Sequence, residues 1–418
     1  MLYKELVEVY EKISGTTKRL EKTYFVSKLI KKIPLDELSM ALLLLRGELY
    51  PAWDKQEIGV ASRLVLKAIN VATGISVKKI EEGWGQTGDL GECAKNFISE
   101  KKQVTLFSQS LDVEKVFKDL RKLTTVTGKG AVDQKVKIIS GLLSSASPDE
   151  ARYIVRTVLE DLRVGVGEGT IRDAIVWSCF PPIAGIFFKC QKCGKFIPNA
   201  DKCVECGESI DNKFSNEINR LDKGNKVLEV TSLKDLKDIQ KYDFIVCETD
   251  VLARGCYNYL IEIVQSAYDM KNDFSEVAVI ARKKGIDGLL DVEMEAGKPI
   301  KVMLYQKSKG ITDAFETVGI PAAIEYKYDG FRIQIHKFKS GIKIFTRRLD
   351  DVTTQFPDIV KVVKKNVKGD SFIIDAEVVG YDKKTKTYLP FQGISQRIKR
   401  KYDIEKMCDE LPVELNTF

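Results

Sequence analysis

The chain has a single histidine, His336, among its 418 residues. Acid–base or metal chemistry built on several imidazoles is therefore closed to it. Long hydrophobic runs are missing as well. No apolar stretch approaches the roughly 20 residues needed to span a bilayer, and the opening MLYKELVEVYEKI has no apolar signal core. The expectation is a protein with no membrane partner and a cytoplasmic address. Internal repeats and low-complexity tracts are lacking, which sets aside solenoids and biased tails. Neither sign of charge dominates: 67 basic against 60 acidic residues leave +7. The sum alone only hints at an anionic partner, so placement must decide.

What is there is the composition of a soluble globular protein, 44% hydrophobic and 30% charged, long enough for two or three domains with real cores. The first 180 or so residues carry helical periodicity. Leu2, Leu6, Val9, Tyr10 and Ile13 share one face, followed by Ile58, Ala61, Leu64, Leu66 and Ile69, then Val136, Ile139, Leu142 and Leu143. Ser147-Pro148-Asp149-Glu150 is a helix start, with a capping hydroxyl, a proline at the first position and a glutamate where a capping box needs it. The helix it opens is expected to bury Ile154, Val155, Val158, Leu159 and Leu162. These stripes read as core. Lysine-rich runs at Lys18–Lys32, Lys361–Lys368 and Arg397–Lys401 read mostly as solvated faces. Gly165, Gly167 and Gly169 form a turn into another helix. They lack dinucleotide-binding spacing, and backbone N–H groups at such a start can meet a phosphate; a tight turn between packed helices is the alternative.

From about Pro181 to Cys256 the texture changes to turns and short mixed segments, after which helical character resumes. This reads as an insertion in one helical domain. Nine cysteines are present, and four of them, Cys190, Cys193, Cys203 and Cys206, form two Cys-x-x-Cys-Gly units. Two such knuckles offer four thiolates to one Zn²⁺, a closed set that points to a structural rather than catalytic metal; disulfides are the alternative. The other five are scattered, as for reduced buried thiols. Residues 291–310 read as a linker, with Gly297 and Pro299 inside it.

Beyond about 315 the pattern turns to strands. Ile324, Tyr326 and Tyr328 alternate with Glu325 and Lys327, Ile333 and Ile335 keep the period of two, GIKIFTR is a second strand, TTQFPDIVKVVKKN a helix and SFIIDAEVVGYD a third strand. Lys327 stands among aromatics beside Asp329-Gly330. An amine attacks phosphorus only when deprotonated, and neighbouring cations with partial burial favour that form. Gly330 would permit close backbone approach to a ligand, and Arg332 could meet a phosphate or ribose oxygen. An ordinary Asp-Gly hairpin is the competing reading.

The string Glu325-Tyr326-Lys327-Tyr328-Asp329-Gly330-Phe331-Arg332 contains Lys-x-Asp-Gly-x-Arg, which resembles the first motif of the covalent nucleotidyltransferases. EYKYDGFRIQIHKF followed by FTRRLDDVT is most similar to the ATP-dependent DNA ligases of archaea and eukaryotes. LRGELYPAWDKQEIGVASRLVLKAI, GDLGE and LEDLRVGVGEGTIRDAI resemble the helical DNA-binding domain of that family, and PFQGISQRIKRKYDIEKMCDELPVELNTF resembles its adenylation domain. RNA ligases and capping enzymes share the lysine motif but do not explain the first 290 residues, and no segment resembles the N-terminal domain of NAD-dependent ligases.

The resemblance implies a multidomain chain. Residues 1–290 would be an all-α DNA-binding domain with a zinc-ribbon-like insertion at about 181–256, its four-cysteine module at 190–206. Residues 311–418 would be the first part of an α+β nucleotidyltransferase domain. Lys327 would attack the ATP α-phosphate and hold AMP as a phosphoramidate. Glu325 would read the adenine edge, Asp329 would position groups near ribose and lysine, and Arg332 and Arg347 would contact ribose and phosphates. Glu377 would contact ribose or help hold Mg²⁺, and Phe418 would stack on adenine. Arg163, Gly165, Gly167, Gly169 and Arg172 would touch the backbone of nicked double-stranded DNA. The cofactors implied are ATP, Mg²⁺ and a structural Zn²⁺. A sliding clamp is a candidate partner, and a monomer is the expected state. The family's later motifs, with two lysines on the phosphates, and its OB-fold domain lie outside these residues. The expectation is thus a nick-sealing ligase that is incomplete in this chain, with a non-catalytic DNA-binding derivative as the alternative.

Overall fold

The structure is a computed structural model that describes residues 1–100, 110–198, 202–209, 224–302, 306–325, 327, 329–382, 384–400 and 402–417. It divides into two compact units, Met1–Tyr268 with Asp273–Val292, and Asp269–Asn272 with Glu293–Phe418.

The first unit is helical: α1 (Tyr3–Ser14), α2 (Arg19–Lys32), α3 (Leu38–Leu45), α4 (Ser62–Thr73), α5 (Val77–Thr87), α6 (Leu90–Ser99), α7 (Val113–Thr125), α8 (Ala131–Ser145), α9 (Pro148–Val158) and α10 (Glu168–Cys179) precede the changed texture. Four short strands follow, β1 (Phe187–Lys189), β2 (Phe196–Pro198), β3 (Val227–Val230) and β4 (Phe244–Cys247), and then α11 (Asp250–Lys271) and α12 (Phe274–Leu290). β1 pairs antiparallel with β2, and β3 parallel with β4.

The capping box forms as its residues dictate. Ser147 Oγ accepts from the Glu150 N–H at 3.4 Å, and Glu150 Oε2 accepts from the Ser147 N–H at 2.8 Å. The stripes differ from expectation in places: α9 ends at Val158, so Leu159 is its half-buried C-cap and the buried Leu162 lies beyond it, and Val136 of α8 is only half-buried. α1 buries Tyr3, Leu6, Val7, Tyr10 and Ile13, whereas Leu2 stands outside the helix at its N-cap and Val9 is only half-buried. Leu6, Tyr10 and Ile13 keep the expected face, with Tyr3 and Val7 beside them. α4 starts at Ser62, so the buried Ile58 lies in the preceding loop, its N–H on Glu160 at 3.2 Å and its carbonyl on Lys135 at 2.9 Å. A guanidinium joins three helices: Arg152 of α9 pairs with Glu11 of α1 and, at 3.2 Å, with Glu92 of α6.

In the second unit α13 (Ile311–Val318) is followed by β5 (Phe331–Phe338), β6 (Gly341–Thr346), α14 (Pro357–Asn366), β7 (Phe372–Asp382), β8 (Thr387–Leu389), α15 (Phe391–Lys399), α16 (Ile404–Glu410) and β9 (Val413–Thr417). The sheet runs β6-β5-β7-β8, with β9 also on β7, and all pairings are antiparallel. Its period of two separates the faces. Phe331, Ile333, Ile335, Ile344, Ala376 and Val378 form a core with Phe356, Ile359, Val363 and Ile394. The opposite face carries Arg332, Gln334 and His336 across from Glu377, Asp375 and Ile373.

The strand expected to begin at Ile324 begins at Phe331, and Ile324 is 87% exposed. The ladder between β5 and β7 starts at the Phe331–Val378 pair, and among the described residues those before it pair with no strand there. Tyr326 and Tyr328 lie outside the described residues.

Arg397 overturns the reading of its run as a solvated face. It is 0% exposed, with Asp358 held at 2.7 and 3.0 Å, the Leu411 and Gln355 carbonyls at 3.0 and 3.3 Å, and the Phe356 ring beneath its guanidinium. It ties α15 to α14 and to the end of α16. Removing one partner of such a buried pair costs about 3 kcal/mol or more.

At the other end of the polar face, the stretch read as a linker lies over β5. The Gly297 N–H donates to His336 Nδ1 at 3.0 Å, and Gln334 exchanges two hydrogen bonds with the Ile300 backbone at 2.8 and 2.7 Å. His336 is fully buried, and burial pulls its pKa down to about 4. The unfolded chain therefore takes up a proton below about pH 6.5 that the folded chain refuses until about pH 4, and stability falls across that window. The loss attributable to this one residue by pH 4.5 should be on the order of 2–3 kcal/mol. His336→Asn keeps an acceptor for Gly297 but cannot titrate, so its unfolding midpoint should fall less than that of the unmodified chain between about pH 7 and 4.5. Equal slopes in a melt followed by circular dichroism would sink this account.

Candidate functional site

The open end of the polar face gathers the charged residues singled out from the sequence. Arg332 of β5 lies directly opposite Glu377 of β7. Two positions along the same face of β7 stands Asp375, which Arg332 Nε meets at 2.9 Å from both carboxylate oxygens. This pair raises the Arg332 pKa, Asp375 acting first and Glu377 and Glu325 adding to it. Glu377 is half-buried. Desolvation raises its pKa, opposed by the charges of Lys327 and Arg332 and reinforced by those of Asp375 and Asp329. Lys327, Glu325, Asp329, Arg332 and Glu377 are thus one electrostatic cluster. Arg347 directly follows Thr346, the residue of β6 that faces Ile333, and is exposed.

Gly330 explains how the lysine segment is held against β7. A Cβ there would sit 2.3 Å from the Val378 carbonyl oxygen and 3.0 Å from Glu377 Cγ. The close approach that requires glycine is to the neighbouring strand, where a ligand was expected. The Asp-Gly pair does not make a hairpin either; the hairpin joins β5 to β6 through Lys339 and Ser340, with Phe338 paired to Gly341. Asp329 accepts from the Phe391 N–H at 3.2 Å, placing a carboxylate at the N-terminus of α15, where unpaired N–H groups favour negative charge. Lys327 itself is exposed rather than partly buried, in irregular backbone before β5. Phe418 lies outside the described residues.

Asp375 was missed in the sequence. Its signal was present, since a carboxylate two residues before Glu377 on a strand must share its face. What the sequence withheld was that Arg332 stands close enough to bind it.

In the first unit Gly165 and Gly167 lead into α10, Gly167 as its N-cap, and Gly169 lies in its first turn. Arg163 adopts φ +58° and Gly165 φ +69°. Arg163 is exposed and bonded to Asp161 at 2.7 Å. It also borders a cleft of about 230 Å³ with Arg156, Asp89 and Trp84. Arg172 is turned to Asp173 at 2.9 Å and Gln265 at 3.3 Å. The cations that reach the loop come instead from α2. Lys22 Nζ donates to the Gly165 and Val164 carbonyls at 3.1 and 3.4 Å, and Arg19 bonds Asp173 at 2.5 Å and the Gly169 carbonyl at 3.3 Å. Both belong to the Lys18–Lys32 run, whose contacts no linear pattern could assign.

The four cysteines converge. Cys190 and Cys206 sulfurs are 3.6 Å apart, as are those of Cys193 and Cys203, and all four lie within 4.8 Å of one another. Four sulfurs at about 2.3 Å from a tetrahedral ion would stand roughly 3.8 Å apart. The two knuckles repeat one geometry. Gly194 N–H bonds the Cys190 carbonyl at 2.9 Å and Gly207 N–H the Cys203 carbonyl at 2.8 Å, with φ +68° and +72° at the glycines.

Residues 2–176 match the family model described as DNA ligase N terminus, and residues 302–418 match that described as ATP dependent DNA ligase domain. The stretch 177–301, which holds the cysteine module, lies outside both matches. The chain is 36% identical to a DNA ligase of Nanoarchaeum equitans, 34% to one of Methanothermobacter thermautotrophicus and 32% to one of Thermococcus onnurineus. Each alignment covers 100% of this chain and 60% of the relative, so the chain spans about 60% of the length of the curated relatives it matches. Among the described residues no helix is long and apolar enough to cross a membrane.

Gly330→Ala should push the start of β5 away from β7, at a cost of about 1–3 kcal/mol. Denaturant unfolding would measure it, and an unchanged midpoint would mean that the Gly330–Val378 contact is not held in solution.

Proposed function

Because the chain belongs to the ATP-dependent DNA ligase family, we propose that its second unit transfers AMP from ATP to Lys327 and that its first unit grips nicked duplex DNA. One observation carries the catalytic part. Lys327, Arg332 and Glu377 form a single charge cluster at the open end of the sheet's polar face, inside the segment matched by the ligase domain.

In this reading the Lys327 amine attacks the α-phosphorus of ATP. The bond from phosphorus to the pyrophosphate oxygen breaks, a P–N bond forms, and the amine sheds its proton. Charge builds on the phosphoryl oxygens, and Arg332, held in place by Asp375, with Arg347 beyond the end of β6, stabilises it. Glu325 reads the adenine edge, and Phe418 stacks on the base. Magnesium ion fits the donors present. Glu377 offers a half-buried carboxylate, Asp375 is committed to Arg332, and Mg²⁺ characteristically takes one or two carboxylates and completes its shell with water and phosphate. When bound, Mg²⁺ neutralises phosphate charge.

The DNA part rests on the match of residues 2–176 and on the loop leading into α10. Arg163, the Gly165–Gly169 backbone and α2 would meet phosphates irrespective of sequence, as nick sealing requires. Arg172, tied to Asp173 and Gln265, would act by supporting that loop. We also assign the four cysteines a structural Zn²⁺. Their sulfur spacing fits a closed tetrahedral site with no position left for substrate.

Incubation with α-labelled ATP and Mg²⁺, followed by a denaturing gel and intact mass, should show one AMP per chain. The adduct should be acid-labile and absent in Lys327→Ala. Glu377→Gln should slow its formation by roughly 100-fold or more while leaving the attachment point. No adduct despite nicked-DNA binding would replace this reading with that of a non-catalytic DNA-binding chain. Elemental analysis of the purified protein should find one zinc per chain, lost in Cys193→Ser; a metal-free protein with the same fold would remove the zinc assignment.

A further inference from the structure

Among the described residues the cysteine module meets α2 where β2 packs against it and through one polar contact. Glu205 occupies the third position of the second knuckle, between Cys203 and Cys206, and its Oε1 accepts from Tyr24 Oη at 2.8 Å and from Lys28 Nζ. Tyr24 and Lys28 lie one turn apart on α2, with the Lys28 ammonium over the Tyr24 ring. Tyr24 is buried. Earlier on the same helix are Arg19 and Lys22, the two cations that bond the loop carbonyls of Val164, Gly165 and Gly169. One helix therefore links the knuckle to the loop that leads into α10.

The knuckle and the loop both take part of their support from α2. The strands beside the first knuckle, β1 and β2, have three residues each, and a two-stranded pair of that size is marginal in water. Four sulfurs converge there without a covalent link to hold them, so the direction in which Glu205 points depends on what binds the sulfurs. The loop is likewise held from outside. Its left-handed residues at Arg163 and Gly165 leave carbonyls facing Lys22, and those carbonyl dipoles would repel a phosphate if the cations withdrew.

We propose that the cysteine module is a metal-set brace for the DNA-contacting loop: with zinc bound, Glu205 fixes α2, α2 fixes the Val164–Gly169 carbonyls, and zinc and nicked DNA therefore bind with positive coupling. This rests on the zinc and DNA assignments above. Zinc removal should weaken nicked-duplex binding by about 5- to 50-fold, and DNA should slow chelator-driven zinc release, because coupling of equilibria is reciprocal.

The test uses the full chain and three readouts: zinc content, affinity for a fluorescent nicked duplex, and hydrogen exchange of peptides covering residues 160–170. Since chelation or Cys206→Ser could unfold the module broadly, Glu205→Ala is the deciding variant. It removes no metal ligand. The expected result is full zinc content, faster exchange at 160–170 and DNA binding weakened to the level of the zinc-free protein. Glu205→Ala with unchanged exchange and unchanged DNA affinity overturns the proposal. If the unmodified chain binds no nicked DNA, the DNA assignment fails by itself, and exchange at 160–170 in Glu205→Ala still decides: acceleration with full zinc content supports the brace, no change overturns it. If the unmodified chain takes up no zinc, the zinc assignment and the brace fall together.

Discussion

The approach of the Gly330 backbone to the Val378 carbonyl is the constraint on which the rest of the second unit depends. It starts the β5–β7 ladder at Phe331 and Val378 and so fixes which residues oppose one another. A slip of one residue would move Arg332 to the core face and Ile333 to the polar one. With the register set, Arg332 lies opposite Glu377 and within reach of Asp375, and Lys327 enters their field from the preceding segment. The Asp329 carboxylate adds a second hold by meeting the Phe391 N–H at the head of α15.

The sheet uses its two faces for different ends. One packs against helices whose attachment runs through the buried Arg397, so the loop that carries Asp329 rests on an element anchored by a paired charge as well as by apolar contact. The other face is closed over Gln334 and His336 by backbone from Gly297 and Ile300, and remains polar and accessible at Arg332 and Glu377. Covering one end leaves the charged groups of this face exposed at the other. The first unit follows a similar economy, its guanidinium of Arg152 tying α1, α6 and α9 where a bundle of short helices would otherwise rely on side-chain packing.

Much of this was legible in the residues, and the parts that were not share a cause. The capping box at Ser147, the two cysteine knuckles and the alternation from Ile333 onward are local codes, in which a few neighbouring residues determine a geometry. The first strand was read as starting too early because Ile324 alternates correctly, and alternation says nothing about whether a partner strand is present. Leu2 and Val9 were placed on the inner face of α1 because a stripe can be shifted by one residue without losing its period. Arg397 looked like one member of a basic run, and only Asp358, 39 positions earlier, makes it an interior residue. Asp375, Arg19 and Lys22 were overlooked for the same reason: their roles are set by residues distant in sequence. Family likeness is what proposed a common purpose for Lys327, Arg332 and Glu377, and in the structure the charges of Lys327 and Arg332 both act on Glu377.

The burial of His336 has a broader consequence. The one imidazole in the chain has been taken out of the neutral range. The lysines, arginines and carboxylates that a polyanion would meet at the surface ordinarily titrate several units away from neutrality. Around neutral pH the protein therefore offers an almost constant electrical face, buffered against modest acidification by having no imidazole left to respond. Ionic strength, which screens charge without changing it, would then be the variable that grades attraction to the phosphate backbone proposed as its partner.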